Sequence, residues 1–139
     1  MVDSQRDMIC VGLDLKYWDD VKDDIQKALD GNDGRVYASD FLQKIKDKKI
    51  QLWGIHDGIL RAVMTTEIIE YLHFKSVRII TVTGRESDAW LDVLIDTVSH
   101  WGAENGAQAI EFVGRKGWEK VLSKKGFGNT QIFMTKAII

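Results

Sequence analysis

The sequence predicts an α/β (α+β) domain: a mixed, mostly antiparallel central sheet flanked by helices on both faces. Three observations carry that reading. Two runs rich in Ile, Leu, Val, Thr and Trp, Ile50–His56 and Gly58–Ile69, are separated by Asp57–Gly58, a strong short-range hairpin signal. Beyond that hairpin, strand-like and helix-like periodicities alternate, which sets strands side by side beneath covering helices. The chain has 139 residues, 45% of them hydrophobic, enough for one domain (1–139) with a real core.

Each element has its own local reason. Residues 8–13, MICVGL, are short, apolar and compatible with a strand. Trp18, Val21, Ile25, Ala28 and Leu29 recur at spacings of three and four, the stripe of an amphipathic helix. Lys and Asp residues cover the rest of its surface. Asp30–Gly31–Asn32–Asp33–Gly34 ends it, because Gly, Asn and Asp adopt turn conformations cheaply. This stretch lacks the alternating oxygen ligands and closing Glu of a calcium loop. A second helix is expected from Ser39 or Asp40, both good N-caps, through FLQKIKDKK. Phe41, Leu42 and Ile45 form its inner face, and lysines crowd the end where cations suit the helix dipole.

After the hairpin, Ser76–Thr83 reads as a third strand. A helix over Ser87–Asn105, capped by Ser87 or Asp88, turns Leu91, Leu94, Ile95, Val98 and either Trp101 or Gly102 inward, and Gly106 ends it. Ala107–Val113 is a strand expected to run parallel to Ser76–Thr83. Gly114–Lys125 is a short basic helix closed by Gly126, and Gln131–Ile138 is the last strand. Trp118, Leu122 and Phe127 are expected inward, Lys120 and Lys124 outward.

Composition narrows the function. Lys plus Arg number 19 and Asp plus Glu 21, a net charge of −2, so no whole-protein electrostatic case exists for nucleic acid or an anionic membrane. The single cysteine, Cys10, excludes an intramolecular disulfide and a Cys cluster, and reads as a small buried side chain. His56 reads as a hairpin residue and His100 as a helix-surface residue, so no metal site is expected. The stretch MVDSQRDMICVGLDL has no basic region ahead of a long apolar run, so no signal peptide is expected. No apolar run approaches the length of a membrane span. Proline is absent, against about seven at ordinary usage of about 5%. Neither GxGxxG nor GxxxxGK[ST] occurs.

The succession of elements and the stretch RKGWEKVLSKKGF, Arg115 to Phe127, resemble the GCN5-related N-acetyltransferase (GNAT) superfamily. That family commonly closes with Asn, Ala and then Leu–Tyr–x–Lys–x–Gly–Phe. Lys124, Gly126 and Phe127 match, and Val121 holds the Leu position. Arg115 stands for the Asn, Trp118 for the Ala and Leu122 for the Tyr. With VTGRESDAWL upstream, the chain looks most like the small GNAT-like proteins of tailed bacteriophages. The resemblance covers roughly residues 36–139.

The resemblance implies acetyl-CoA as cofactor, its pyrophosphate bound by backbone N–H groups where a strand turns into a helix. The family marks that loop with Gln/Arg–x–x–Gly–x–Gly/Ala. Here Glu86, Ala89 and Leu91 fall on the marked positions, with Gly84 and Arg85 just upstream. The implied cofactor contacts are Val82, Thr83, Gly84, Arg85, Glu86, Ala89 and Trp90, with Arg115 assisting. Glu86 and Asp88 would repel a pyrophosphate if they faced it. Transfer to an amine needs a base and an acid. Leu122 removes the family's usual Tyr, which leaves Glu67 as candidate base and Tyr71 as candidate acid. Glu70 and His73 lie nearby.

Two readings follow from the resemblance. One is an acetyl-CoA-dependent N-acyltransferase with a degenerate cofactor loop, acting on a small-molecule or protein amine in the cytoplasm. The other is a catalytically inactive GNAT-like protein that binds a phage or host protein, as a virion component of a tailed phage.

Overall fold

The computed structural model describes residues 8–30, 35–84, 89–114, 116–132 and 134–138. Five strands form one sheet in the order β1 (Ile9–Gly12), β2 (Ile50–His56), β3 (Leu60–Glu70), β4 (Lys75–Gly84) and β5 (Ala109–Phe112). The first four pair antiparallel, and β5 joins β4 in parallel, from Ser76↔Ala109 to Ile79↔Phe112. The mixed, mostly antiparallel sheet expected from the sequence is present. The Asp57–Gly58 hairpin is present too, with Gly58 at a φ of 108° that a side chain would strain.

Alternation along the strands builds two cores. Trp53, Ile55, Met64, Val77, Ile79 and Val82 face α3 (Ala89–Glu104) and α4 (Gly117–Ser123), packing on Trp90, Leu91, Leu94, Val98 and Leu122. Ile50, Leu52 and Val63 point the other way, onto α1 (Trp18–Leu29) and α2 (Ala38–Lys46) through Val21, Ile25, Leu29 and Phe41. Each such side chain stabilises the fold by about 1.5–3 kcal/mol on burial. Gln26 ties the two outer helices together, its Oε1 accepting the Ala38 N–H at 2.9 Å.

Helix ends differ in detail from the expectation. At α2 neither Ser39 nor Asp40 is the N-cap; Tyr37 is, and the Asp40 carboxylate reaches back to accept the Tyr37 N–H at 2.8 Å. The expected stop of α1 at 31–34 and the caps Ser87 and Asp88 lie outside the described residues. In α3 the inward residue is Gly102 rather than Trp101, since a Cβ there would come within 2.6 Å of Val77 Cγ2. Trp101 lies instead edge-on to Trp53, with ring centroids 5.4 Å apart. Gly126 closes α4 at a φ of 93°. Trp118 is half-buried, Leu122 buried, and Lys120 and Lys124 exposed, as expected. Phe127 is half-buried rather than fully inward, packing on the rim of the α3–α4 core.

The last strand is the main correction. The described residues of 131–138 pair with nothing, and Ile132, Met134 and Ile138 are 84%, 82% and 98% exposed. Their composition suits a strand. An extended segment with no neighbour, however, gains neither ladder hydrogen bonds nor burial.

Candidate functional site

The site is made by two strands that part. Pairing of β4 with β5 ends at Ile79↔Phe112, while β4 continues to Gly84 against β3 alone. A bulge sharpens the divergence: Thr65 pairs with Thr81 and Thr66 with Ile79, which leaves Ile80 as an extra residue. The β4 edge beyond Ile79 therefore has no β5 residue beside it. A cleft of about 760 Å³ opens there, lined by residues 80–84 of β4, Trp90, Phe112, Gly114, Trp118 and one side of α1. That volume lies in the range of about 300–1,000 Å³ typical of small-molecule sites.

Aromatic rings shape the mouth. The Trp90 indole lies against the Gly84 backbone, so that a Cβ on Gly84 would fall 2.1 Å from Trp90 Cζ2. Phe112 folds in the same way over Gly114, where a Cβ would meet its Cζ at 2.4 Å, and meets Trp118 edge-on at 6.0 Å. Both glycines thus make room for rings. Trp90 Nε1 is buried and has no hydrogen-bond partner among the described residues. A stranded donor of this kind costs about 1–3 kcal/mol until an acceptor reaches it.

The opposite wall is charged. Asp20, Asp24 and Lys27 of α1 line it, with Arg61 from the start of β3. Arg61 Nε donates to Asp57 Oδ1 at 2.9 Å, and this bond holds the Asp57 carboxyl below its ordinary range.

Of the residues singled out from the sequence, Val82, Thr83, Gly84 and Trp90 line the cleft, and Ala89 opens α3 beside it. Arg85, Glu86 and Arg115 lie outside the described residues. Glu67 and Tyr71 do not line the cleft. Glu67 borders a second hollow of about 470 Å³ at the other end of the sheet, among Lys44, Lys49 and Lys75. Tyr71 sits just past β3, its hydroxyl donating to Glu111 Oε1 at 3.0 Å and accepting from Arg78 Nη2 at 3.3 Å. Arg78 Nε also donates to Glu111 Oε1, at 2.9 Å. Leu122 is buried in the core, and Ser123 Oγ donates back to the Lys120 carbonyl at 3.0 Å.

His56 ends β2, and His100 pairs with Glu104 on the exposed face of α3 at 3.1 Å. Among the described residues no group of three His, Cys, Asp or Glu side chains could hold a metal, and no helix is long and apolar enough to cross a membrane. Asp20 and Asp24, which line the cleft, are not singled out by the sequence. The helical stripe reveals which side of α1 is buried but not which part of its polar side faces a cleft.

No protein-family model and no curated protein matches the chain. Solved structures do, across nearly the whole length. A Clostridium acetobutylicum protein described as a predicted acetyltransferase with acetyl-CoA superposes with a TM-score of 0.73 at 15% identity, over 94% of this chain and 96% of that one. A GCN5-related N-acetyltransferase from Ralstonia eutropha JMP134 gives 0.72 at 18% identity, over 94% and 98%. A transcriptional regulator from Bacillus halodurans C-125 gives 0.73 at 13%, over 94% and 99%. The fold is therefore that of GNAT acetyltransferase-like structures. The three named sources are bacteria, and the likeness to phage proteins rests on the two sequence stretches alone.

Proposed function

We propose that the chain is an acyl-CoA-dependent N-acyltransferase that takes acetyl-CoA as donor and a cationic amine as acceptor. The observation that carries the proposal is the parting of β4 from β5 after Ile79↔Phe112, which leaves a strand edge unpaired among the described residues along a cleft. When bound there, the cofactor supplies an acyl group activated as a thioester. The residues present suit it: a free β4 edge over 80–84, the stranded Trp90 N–H, and the start of the 16-residue helix α3, whose dipole favours anions.

The chain's own part is binding and orientation. Backbone groups of 80–84 align the donor by hydrogen bonds that a neighbouring strand would otherwise take. On the opposite wall, the Asp20 and Asp24 carboxylates accept hydrogen bonds from the ammonium of the acceptor, which gives up a proton to water at the open mouth before attack. Asp20 and Asp24 are proposed to hold the acceptor because they line the cleft, whereas Glu67 and Tyr71, the candidate base and acid, do not.

Calorimetric titration with acetyl-CoA, followed by thiol release in the presence of polyamines and lysine peptides, tests the proposal. Saturable binding and amine-dependent release support it. Asp24→Asn should raise KM for a cationic amine about 10- to 100-fold, as loss of a charge-assisted hydrogen bond does, and leave acetyl-CoA affinity unchanged. No saturable binding at millimolar acetyl-CoA would leave the second reading, an inactive GNAT-like protein that binds a phage or host partner. One observation favours that reading: buried Leu122 offers no acid where the family has Tyr.

A further inference from the structure

The hollow of about 470 Å³ lies at the end of the sheet away from the cleft, where the end of α2 meets the starts of β2 and β4 and the end of β3. Its charge runs against that of the chain. Lys44, Lys48, Lys49 and Lys75 border it against Glu67 and Glu70, a local balance of +2 among the described residues in a protein of −2. Lys75 is held at the rim by Glu70 Oε1 at 3.4 Å and by the Asn105 carbonyl at 3.2 Å. Lys44, Lys48 and Lys49 have no ion-pair partner among the described residues.

The helix dipole accounts for a lysine in the last turn of α2, such as Lys44. It does not account for Lys48. That residue lies one past the C-cap Asp47, at a φ of 61°, where Gly or Asn usually stands because a larger side chain is unfavourable there. The turn is held by the Lys48 N–H on the Ile45 carbonyl at 3.0 Å and the Lys49 N–H on the Lys44 carbonyl at 2.8 Å. A strained residue thus brings a cation to the hollow, and such strain gathers at ligand clamps.

Two further groups border the same hollow. Glu67 has no ion-pair partner among the described residues, since Arg78, opposite it in register on β4, donates instead to Glu111 at 2.9 Å. Gln51 is oriented from the core: Trp53 Nε1 donates to Thr66 Oγ1 at 2.9 Å, and Thr66 Oγ1 donates to Gln51 Oε1 at 2.9 Å. With Oε1 so held, Gln51 has its Nε2 donors to offer.

We propose that this hollow binds a phosphorylated sugar, the lysines taking the phosphate and Glu67 and Gln51 taking hydroxyls. Lysine is a point charge suited to phosphate. The Glu67 carboxylate would repel a bare phosphate, and the lysines would repel an ammonium, so the ligand presents neutral donors beside its anion. The volume lies within the about 300–1,000 Å³ of small-molecule sites.

Titration of the full chain with ribose 5-phosphate, ribose and inorganic phosphate, at fixed low salt, tests the proposal. Ribose 5-phosphate should saturate below millimolar concentration, and the other two should bind at least tenfold more weakly. In a ¹⁵N-resolved proton spectrum the Trp53 indole N–H should shift through its link to Gln51, while that of Trp90, in the cleft, stays. Lys48→Gly removes the cation and the strain together, so affinity should fall about tenfold while the thermal midpoint holds or rises. Lys49→Gln should weaken binding likewise, and Glu67→Gln should shrink the preference for ribose 5-phosphate over inorganic phosphate at least threefold. Absence of saturation at millimolar ribose 5-phosphate overturns the proposal, as does binding indifferent to both lysine variants. Equal affinity for inorganic phosphate, tighter binding of hexaglutamate, or a shift of the Trp90 signal in place of Trp53 overturns it too.

Discussion

Replacing Gly84 by alanine probes the cleft at its tightest contact. The new Cβ would lie 2.1 Å from Cζ2 and 2.2 Å from Cε2 of Trp90, so the ring must retreat by more than an ångström to reach ordinary contact. That ring is 5% exposed and belongs to the cluster of Leu91, Leu94 and Val82, so it cannot move alone. Overpacking of this kind costs about 1–3 kcal/mol. Against it stands the gain from replacing Gly by Ala, about 0.4–1 kcal/mol, available because Gly84 does not have a positive φ. The net expectation is a loss of about 1–2 kcal/mol, or about 3–8 °C in the midpoint for a domain of this size. Urea and thermal unfolding followed by circular dichroism measure it. Gly117→Ala serves as control: its Cβ meets nothing within 4 Å, and it should be neutral or stabilising. Adding Trp90→Leu to Gly84→Ala vacates the contested space, so the double-mutant cycle should show a favourable coupling of at least about 0.5 kcal/mol. A Gly84→Ala protein as stable as wild type, or an additive cycle, refutes the contact.

Three further outcomes are expected. Thr65 and Thr81 share a buried hydrogen bond of 2.6 Å, so Thr65→Val should cost about 1–3 kcal/mol by stranding the Thr81 hydroxyl, whereas Thr65→Val/Thr81→Val should be nearly neutral by urea unfolding. Burial pushes the Cys10 thiol up to about 11 against the opposing effect of its Thr97 hydrogen bond, so iodoacetamide should label the native protein far more slowly than the unfolded one at mildly alkaline pH. Because the folded value lies above the unfolded one of about 8.5, this burial supports stability fully below that pH and loses its effect as pH rises toward 11; Cys10→Ser should flatten the decline. Phe127→Ala should cost about 2 kcal/mol, below the about 3–5 of a fully buried Phe, since the ring is half-buried; a neutral result would remove it from the core.

The fold was legible where periodicity and burial agree. The α1 stripe of Val21, Ile25 and Leu29 is the buried side of that helix, and the Asp57–Gly58 pair is a hairpin turn. Reading failed where partners rather than propensity decide. Ser39 and Asp40 are both good caps by type, yet Asp40 serves Tyr37 from within the first turn. Residues 131–138 have strand composition, but β-propensity describes fitness for a pleated surface and supplies no neighbour. Nothing in the order of residues states that, among the described residues, the far edge of β5 has no partner.

The strand wall of the cleft was legible in the sequence and its charged wall was not. Val82, Thr83, Gly84 and Trp90 were placed by analogy of position, and they line the cleft. The misjudged length of β5 matters more. AQAIEFV reads as seven continuous strand residues, but the strand is the four of Ala109–Phe112. It stops because the Phe112 ring turns over Gly114 and onto Trp118, which leaves Val113 exposed and ends the ladder with β4. Had β5 run on to Val113 and beyond, its backbone would have paired with residues past Ile79 and closed the cleft. At the cleft end the difference is one residue, Val113, and it separates a longer ladder from an open cleft. The cause is a ring packing on a glycine two positions ahead, a tertiary choice that strand propensity does not encode.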